Sequence, residues 1–91
     1  MNQMKFGWVE KFMLTEYIEA AMRHAKYEIL EDNTYYGEIP ECNGVLANQD
    51  TLEDCRDDLR GALEGWILLH LQDGAELPVI EGININAQVE A

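Results

Sequence analysis

The amino-acid sequence predicts a single α+β domain in which helices pack on one face of a small antiparallel sheet. Apolar residues recur with helical spacing near the start of the chain and again in its second half. Between them lie short alternating segments separated by Asn, Asp, Gly and Pro. At 91 residues, the chain is long enough for one hydrophobic core. Helices and hairpins in this order are typical of a two-layer sandwich.

The first predicted element is an amphipathic helix of about three turns over residues 14–25. Leu14, Tyr17, Ile18 and Ala21 recur at the spacing of one helical face. Residues 1–13 show no such pattern, with aromatic residues scattered among polar ones. We therefore divide the chain into an N-terminal extension, residues 1–13, and a single domain, residues 14–91.

Three short strands follow, over residues 26–32, 35–39 and 45–49. Apolar and polar residues alternate in the first two, and Asp32-Asn33-Thr34 between them is a turn sequence, which predicts an antiparallel hairpin. Gly37 is poor strand material, so it indicates a bulge or the close approach of another group.

A long helix is predicted from Thr51 to about residue 72. Seven residues are predicted to form its apolar face toward the sheet: Leu52, Cys55, Leu59, Ala62, Leu63, Trp66 and Leu69. Thr51 and Asp54 have the spacing of a capping box, and acidic residues in the first two turns suit the helix dipole. Gly74 is placed to end the helix. Residues 83–86 alternate apolar and polar residues and are predicted to add a fourth strand.

Several segments occur together in an order and spacing that resemble the central motif of the HicB antitoxin family. They are Tyr36-Gly37-Glu38-Ile39-Pro40-Glu41, Gly44-Val45, Thr51-Leu52-Glu53-Asp54-Cys55 and the exit Gly74…Leu77-Pro78. The resemblance spans residues 26–86. It implies a partial ribonuclease-H-like sheet, self-association, and a small basic RNA-cleaving HicA toxin as partner, which HicB silences by masking its active face. Many members append a DNA-binding module. Only residues 87–91 follow the fourth predicted strand, so we expect no operator binding.

The charge of the chain favours a protein partner over nucleic acid. Six basic residues against eighteen acidic ones give a net charge of −12. Such a chain repels phosphate backbones and attracts a basic protein. The alternative is that the acidity only keeps a small protein soluble. The N-terminus has no apolar signal core and no stretch is long enough to span a membrane, so we expect a cytoplasmic protein.

No pattern in the sequence indicates catalysis. Serine is absent, and neither histidine has a nucleophile nearby in sequence. Asp54, Asp57 and Asp58 share a helical face, yet capping and dipole effects already account for acidic residues in a first turn. We therefore expect no enzyme activity, no metal and no cofactor.

Two sets of residues are candidates for binding. The first would contact the toxin, with one tyrosine as anchor and four carboxylates as charge complement: Tyr36, Glu38, Glu41, Glu53 and Asp57. The second would mediate self-association as a homodimer or higher homo-oligomer, because the helix is apolar all round at its end: Trp66, Ile67, Leu68 and Leu71. The leading hypothesis is a HicB-like antitoxin. The alternative is a homo-oligomeric structural or regulatory module of the same fold with no toxin partner.

Overall fold

The structure, a computed structural model, describes the backbone of residues 2–86 and the side chains of residues 13–86. The elements are, in order, α1 (Asn2–Arg23), β1 (Lys26–Ile29), β2 (Tyr35–Glu38), β3 (Leu46–Gln49) and α2 (Leu52–Asp73). This order confirms the predicted α+β class. Helix α1 continues back through residues 2–13, so the predicted boundary after residue 13 lies within a helix.

The three strands form one antiparallel sheet in the order β1-β2-β3. Tyr27, Gly37 and Ala47 stand in one row across the sheet. The β1–β2 turn forms where the sequence predicted it. Asn33 has a left-handed φ of 68°, and the Asp32 carboxylate accepts hydrogen bonds from the backbone N–H and the hydroxyl of Thr34. This local bonding fixes the register of the hairpin.

Helix α2 begins and ends at the predicted signals. The Thr51 hydroxyl accepts from the Asp54 N–H at 3.1 Å, and Gly74 is left-handed, with its N–H directed to the carbonyls of His70 and Leu71. The buried residues of the helix follow one another at every fourth position: Cys55, Leu59, Leu63 and Ile67. Leu52 and Leu69, which the sequence pattern had assigned to the core face, are 45% and 60% exposed.

The core also includes the second half of α1 and two segments without regular structure. Buried residues come from α1, from the connection between β2 and β3, and from the chain after α2: Tyr17, Ala20, Ala21, Ile39, Cys42, Val45, Leu77 and Ile80. The Tyr17 hydroxyl donates to the Pro78 carbonyl at 2.6 Å. This bond ties the chain after α2 to helix α1. Neither helix, in the part of the chain described, is long and apolar enough to cross a membrane.

The structure does not show the predicted fourth strand. Among described residues, Ile80 and Ile83 form an isolated bridge, and residues 87–91 lie outside the description. The Asn86 side chain accepts from the Leu77 N–H and donates to the Leu77 carbonyl at 2.8 Å. The Asn86 side-chain amide thus satisfies both backbone groups of Leu77, which a strand ladder would otherwise have to pair.

Candidate functional site

The two faces of the sheet have different surroundings. Helix α2 packs on β2 and β3, and the row of Tyr27, Gly37 and Ala47 points toward it. Side chains alternate along a strand, so their neighbours point the other way. Among described residues, neither helix packs on that second face. We call it the open sheet face and define it by six residues: Lys26, Glu28, Tyr36, Glu38, Leu46 and Asn48.

The helix side of β2 is packed without spare room. A Cβ atom added to Gly37 would lie 2.8 Å from Cε1 of Tyr27 and 3.2 Å from Sγ of Cys55. Gly37 was predicted to mark either a bulge or the close approach of another group, and these distances show the close approach. A side chain at position 37 would therefore collide with the Tyr27 ring and press on Cys55 of α2, so glycine lets the ring and the helix both lie close to β2.

The open sheet face carries an aromatic ring, an aliphatic side chain and carboxylates. The half-buried Tyr36 donates its hydroxyl to Oε1 of Glu38 at 2.9 Å. This hydrogen bond to a carboxylate raises the pKa of Tyr36, so its hydroxyl remains a donor at neutral pH. Leu46, opposite Glu38 on β3, is 52% exposed. The hydrogen bond thus restrains Tyr36 on a face that also carries exposed apolar surface.

Glu41 has a different environment from the one predicted. It lies in the connection after Pro40, where its carboxylate is 2.6 Å from Nδ1 of His24. The other ring nitrogen of His24 is 3.0 Å from Glu81. Both nitrogens face carboxylates, and both contacts are hydrogen bonds only when both nitrogens carry hydrogen, so the arrangement favours the imidazolium. These bonds, that to Glu41 first, raise the pKa of His24, and the bond from His24 lowers the pKa of Glu41.

This ion pair changes the interpretation of Glu41. Together with the bonds from Arg23 to Glu81, 2.6 Å and 3.3 Å long, the His24 pair joins the end of α1 to both irregular segments of the core. Glu41 therefore holds the chain together and has less freedom to meet an external cation.

Glu53 and Asp57 lie on the far side of the molecule from the open sheet face. Both are exposed residues of α2, on the side of the helix away from the buried row that begins at Cys55. Helix α2 covers the opposite side of the sheet from Tyr36 and Glu38. The predicted toxin-binding set therefore divides: the structure brings Tyr36 and Glu38 together and separates them from Glu53 and Asp57.

The predicted self-association set also changes. Leu68 and Leu71 are 57% and 44% exposed, as a surface role requires. Ile67, by contrast, is 3% exposed, because it continues the every-fourth-residue row that faces the sheet. It belongs to the chain's own core and is removed from the set. Trp66 is half-buried and packs against His70, their ring centroids 4.1 Å apart.

Sequence reasoning missed two exposed leucines. Leu46 was placed on a strand but given no orientation, and alternation with the small, buried Ala47 could have assigned it to the outer face. Leu69 was assigned to the core. The every-fourth-residue spacing that starts at Cys55 includes Ile67 and leaves out Leu69. This spacing could therefore have predicted that Leu69 is exposed.

Within residues 13–86, no group of three His, Cys, Asp or Glu side chains is placed to hold a metal ion. The backbone N–H of Asp54 donates to the Thr51 hydroxyl, and Asp58 accepts from Gln49 at 3.2 Å.

Burial raises the pKa of the Cys42 thiol to about 11, which keeps it protonated. The side chains brought together on the open sheet face are suited to contact with another molecule.

The fold and the open sheet face define a class of small α+β domains in which one helix covers one side of a three-stranded sheet. The chain belongs to the UPF0150-like family, whose model matches residues 16–78. It is similar to the protein TTHA0281 from Thermus thermophilus, known from a crystal structure: 41% of residues are identical, 82% of this chain and 94% of that chain are covered, and the TM-score is 0.78. No curated protein matches the chain.

Proposed function

We propose that the chain is a HicB-like antitoxin that binds and neutralises a small, basic, RNA-cleaving toxin of the HicA type. The observation that carries the proposal is the open sheet face, where Tyr36, Glu38 and Leu46 present aromatic, acidic and aliphatic groups that neither helix covers. Membership of the UPF0150-like family gives the fold. The resemblance of residues 36–55 to the HicB motif gives the class of partner.

The arrangement suits a protein interface because its central residue is already ordered. Tyrosine is a common anchor in protein interfaces, since it buries a large area for the loss of few rotatable bonds. The bond to Glu38 restrains Tyr36 before binding, which reduces the ordering cost on association. Leu46 adds exposed apolar area beside it.

Charge acts at two ranges in this proposal. The net charge of −12 accelerates the approach of a cationic partner from any direction. Glu38 lies on the open sheet face and acts at contact distance, whereas Glu53 and Asp57 contribute only to the long-range field. The interface therefore depends on Tyr36 and Glu38 and excludes the acidic start of α2.

The first experiment identifies the partner. The full chain is tagged in its own cells, purified gently at low salt and weighed by native mass spectrometry. We expect a small basic protein to co-elute in fixed stoichiometry, and the purified companion to cleave RNA until the chain is added back. A homo-oligomer that elutes without a companion contradicts the antitoxin proposal.

A matched pair of variants then locates the interface. Glu38→Lys and Glu53→Lys make the same charge change on opposite sides of the molecule. With the companion immobilised, we expect Glu38→Lys to weaken binding roughly tenfold, with slower association and a flatter dependence on salt. Glu53→Lys should change only the association rate, and by less. Equal losses in both variants would mean that net charge alone drives binding.

A second candidate function rests on the exposed leucines at the end of α2. Leu68, Leu69 and Leu71 are each at least 44% exposed, and exposed apolar patches often mark contacts between proteins. They support a homo-oligomeric structural or regulatory module with no toxin. Leu68→Glu should then convert the oligomer to a monomer in native mass spectrometry. If the oligomer survives this change, the leucines are not its interface.

A further inference from the structure

All three arginines of this acidic chain line one groove between α1 and α2. Arg23 comes from α1, and Arg56 and Arg60 come from α2, one helical turn apart. Glu19 and Met22 complete the lining, and the groove has a volume of about 320 Å³. The chain has only six basic residues against eighteen acidic ones. Half of its positive charge is thus gathered at one place.

The arginines are only partly neutralised by the chain itself. Arg23 donates two hydrogen bonds to Glu81. Arg60 is 3.6 Å from Glu64, which is too long for a hydrogen bond. Arg56 is exposed and makes no ion pair with any residue between 13 and 86. The groove therefore keeps guanidinium donors that no carboxylate of the described chain accepts from.

We propose that this groove binds the phosphate group of a small molecule. Arginine forks match phosphate oxygens in geometry, and their charge-assisted hydrogen bonds are among the strong ones. The guanidinium groups of two helices offer many N–H donors. A carboxylate has only two oxygens to accept them, whereas a phosphate has three or four, so a phosphate uses more of these donors. The volume lies at the lower end of the range for small-ligand sites.

The same groove disfavours a long polyanion. A net charge of −12 repels a chain of phosphates over its whole length. A single phosphate group is attracted by the nearby arginines and is repelled much less by the rest of the protein. Met22 supplies apolar surface beside the arginines, and the Glu19 carboxylate accepts from a hydroxyl or amine of the ligand. Inorganic phosphate and an organic phosphate monoester share the recognised group.

This site is separate from the proposed toxin-binding surface. The groove lies between α1 and α2, while Tyr36 and Glu38 project from the side of the sheet that α2 does not cover. Phosphate binding therefore goes beyond the proposed function, and it can be tested on the purified chain without any partner.

The test is an NMR titration of the full, isotope-labelled chain with inorganic phosphate and, separately, with glycerol phosphate. Sodium acetate and sodium chloride at matched ionic strength serve as controls. We expect saturable shifts of the arginine side-chain N–H signals and of amides near residues 19–23 and 56–60. Tighter binding of glycerol phosphate supports a small organic phosphate as ligand, and equal binding supports free phosphate.

A matched pair of variants distinguishes a site from general charge attraction. Arg56→Gln removes one positive charge from the groove, and Lys26→Gln removes one from the opposite side of the sheet. We expect Arg56→Gln to weaken phosphate binding about tenfold and Lys26→Gln to change it less than twofold. Arg60→Gln provides a second groove variant, and circular dichroism verifies that each variant is folded.

Three results would overturn the proposal. One is the absence of saturable shifts with both phosphates. The second is acetate binding as tightly as phosphate, which would make the groove a carboxylate site. The third is an equal loss of binding in Arg56→Gln and Lys26→Gln, which would reduce the effect to net charge.

Discussion

The two faces of the sheet differ most sharply along strand β2, where neighbouring residues meet opposite surroundings. Gly37 faces α2 and has no room for a methyl group beside Tyr27 and Cys55. Tyr36 and Glu38, one residue to either side, project from the open sheet face and bond each other. One strand thus supplies both a close packing contact and the candidate binding residues.

The difference shows how packing on one side serves binding on the other. Protein interiors are closely packed, so a strand that packs against a helix has little freedom to move. Its outward-facing side chains therefore keep nearly fixed positions. Gly37 in its tight contact fixes the backbone from which Tyr36 and Glu38 project. The helix side of the sheet is therefore expected to determine stability, and the open sheet face to tolerate substitution.

The largest expected effect compares one truncation on the two sides. Leu59 is fully buried on α2, whereas Leu46 is 52% exposed on the open sheet face. We expect Leu59→Ala to lower the free energy of unfolding by about 2–5 kcal/mol, through lost burial and the cavity left behind. Leu46→Ala should stay within about 0.5 kcal/mol of the wild type. Urea unfolding followed by circular dichroism measures both.

Similar losses in the two leucine variants would contradict the comparison. They would mean that the open sheet face is covered in solution, for example by a second copy of the chain. Repeating the measurement over a range of protein concentrations tests that explanation, since the stability of an oligomer rises with concentration.

An intermediate effect is expected from adding one methyl group at two glycines. At Gly37 a Cβ would approach Tyr27 to 2.8 Å, whereas at Gly61, within α2, it meets no atom within 4 Å. We expect Gly37→Ala to destabilise the fold by about 1–3 kcal/mol through overpacking. Gly61→Ala should instead raise stability by about 0.4–1 kcal/mol, because alanine favours the helix.

The urea midpoint measures each change in stability, and an unchanged slope shows that the surface exposed on unfolding is the same in both variants. If Gly37→Ala were as stable as the wild type, the Tyr27 ring would have to move aside at no cost, and the close contact at Gly37 would not contribute to stability. Loss of stability in Gly61→Ala would indicate that another molecule packs on that side of α2.

The smallest expected effect concerns the charged contacts where the connection after β2 meets α1. Because Glu41 and Glu81 raise the pKa of His24, the imidazolium stabilises the fold fully below about pH 6.5 and loses this effect as pH rises through its folded pKa. The hydrogen bond from His24 lowers the pKa of Glu41. The pKa of Glu81 is lowered chiefly by Arg23 and also by His24. Their contribution is present above about pH 4.5 and disappears as pH falls through their folded values.

The melting temperature difference between the wild type and His24→Gln should therefore be greatest between about pH 5 and pH 6, and smaller on either side. Thermal unfolding across a range of about pH 4–9 measures it. His70→Gln serves as the control, since the His70 ring bonds the Trp66 carbonyl and no carboxylate among residues 13–86. A difference that does not change with pH would show that the ion pairs contribute nothing to stability. Because these groups are partly exposed, added salt should reduce the effect.

The sequence by itself determined the local structure of this protein. Thr51 as N-cap, Gly74 as C-cap and the Asp32-Asn33-Thr34 turn form as predicted, because each signal acts within a few residues of chain. The α+β class followed from the periods of the apolar residues. A glycine where a strand would favour a larger side chain indicated a bulge or a close approach at position 37, and the close approach is what formed.

Only the tertiary structure decided which surfaces exist and which residues share them. Alternation shows that Tyr35 and Tyr36 point opposite ways, but the docking of α2 on one side is what leaves Tyr36 with Glu38 on the open sheet face. The same docking separates Glu38 from Glu53, and the packing of α1 against α2 brings Arg23 beside Arg56 and Arg60. The Asn86 bonds to Leu77 in place of a fourth strand likewise depend on folding. Such contacts join residues distant in the chain, and local periodicity does not specify which distant partner a side chain will meet.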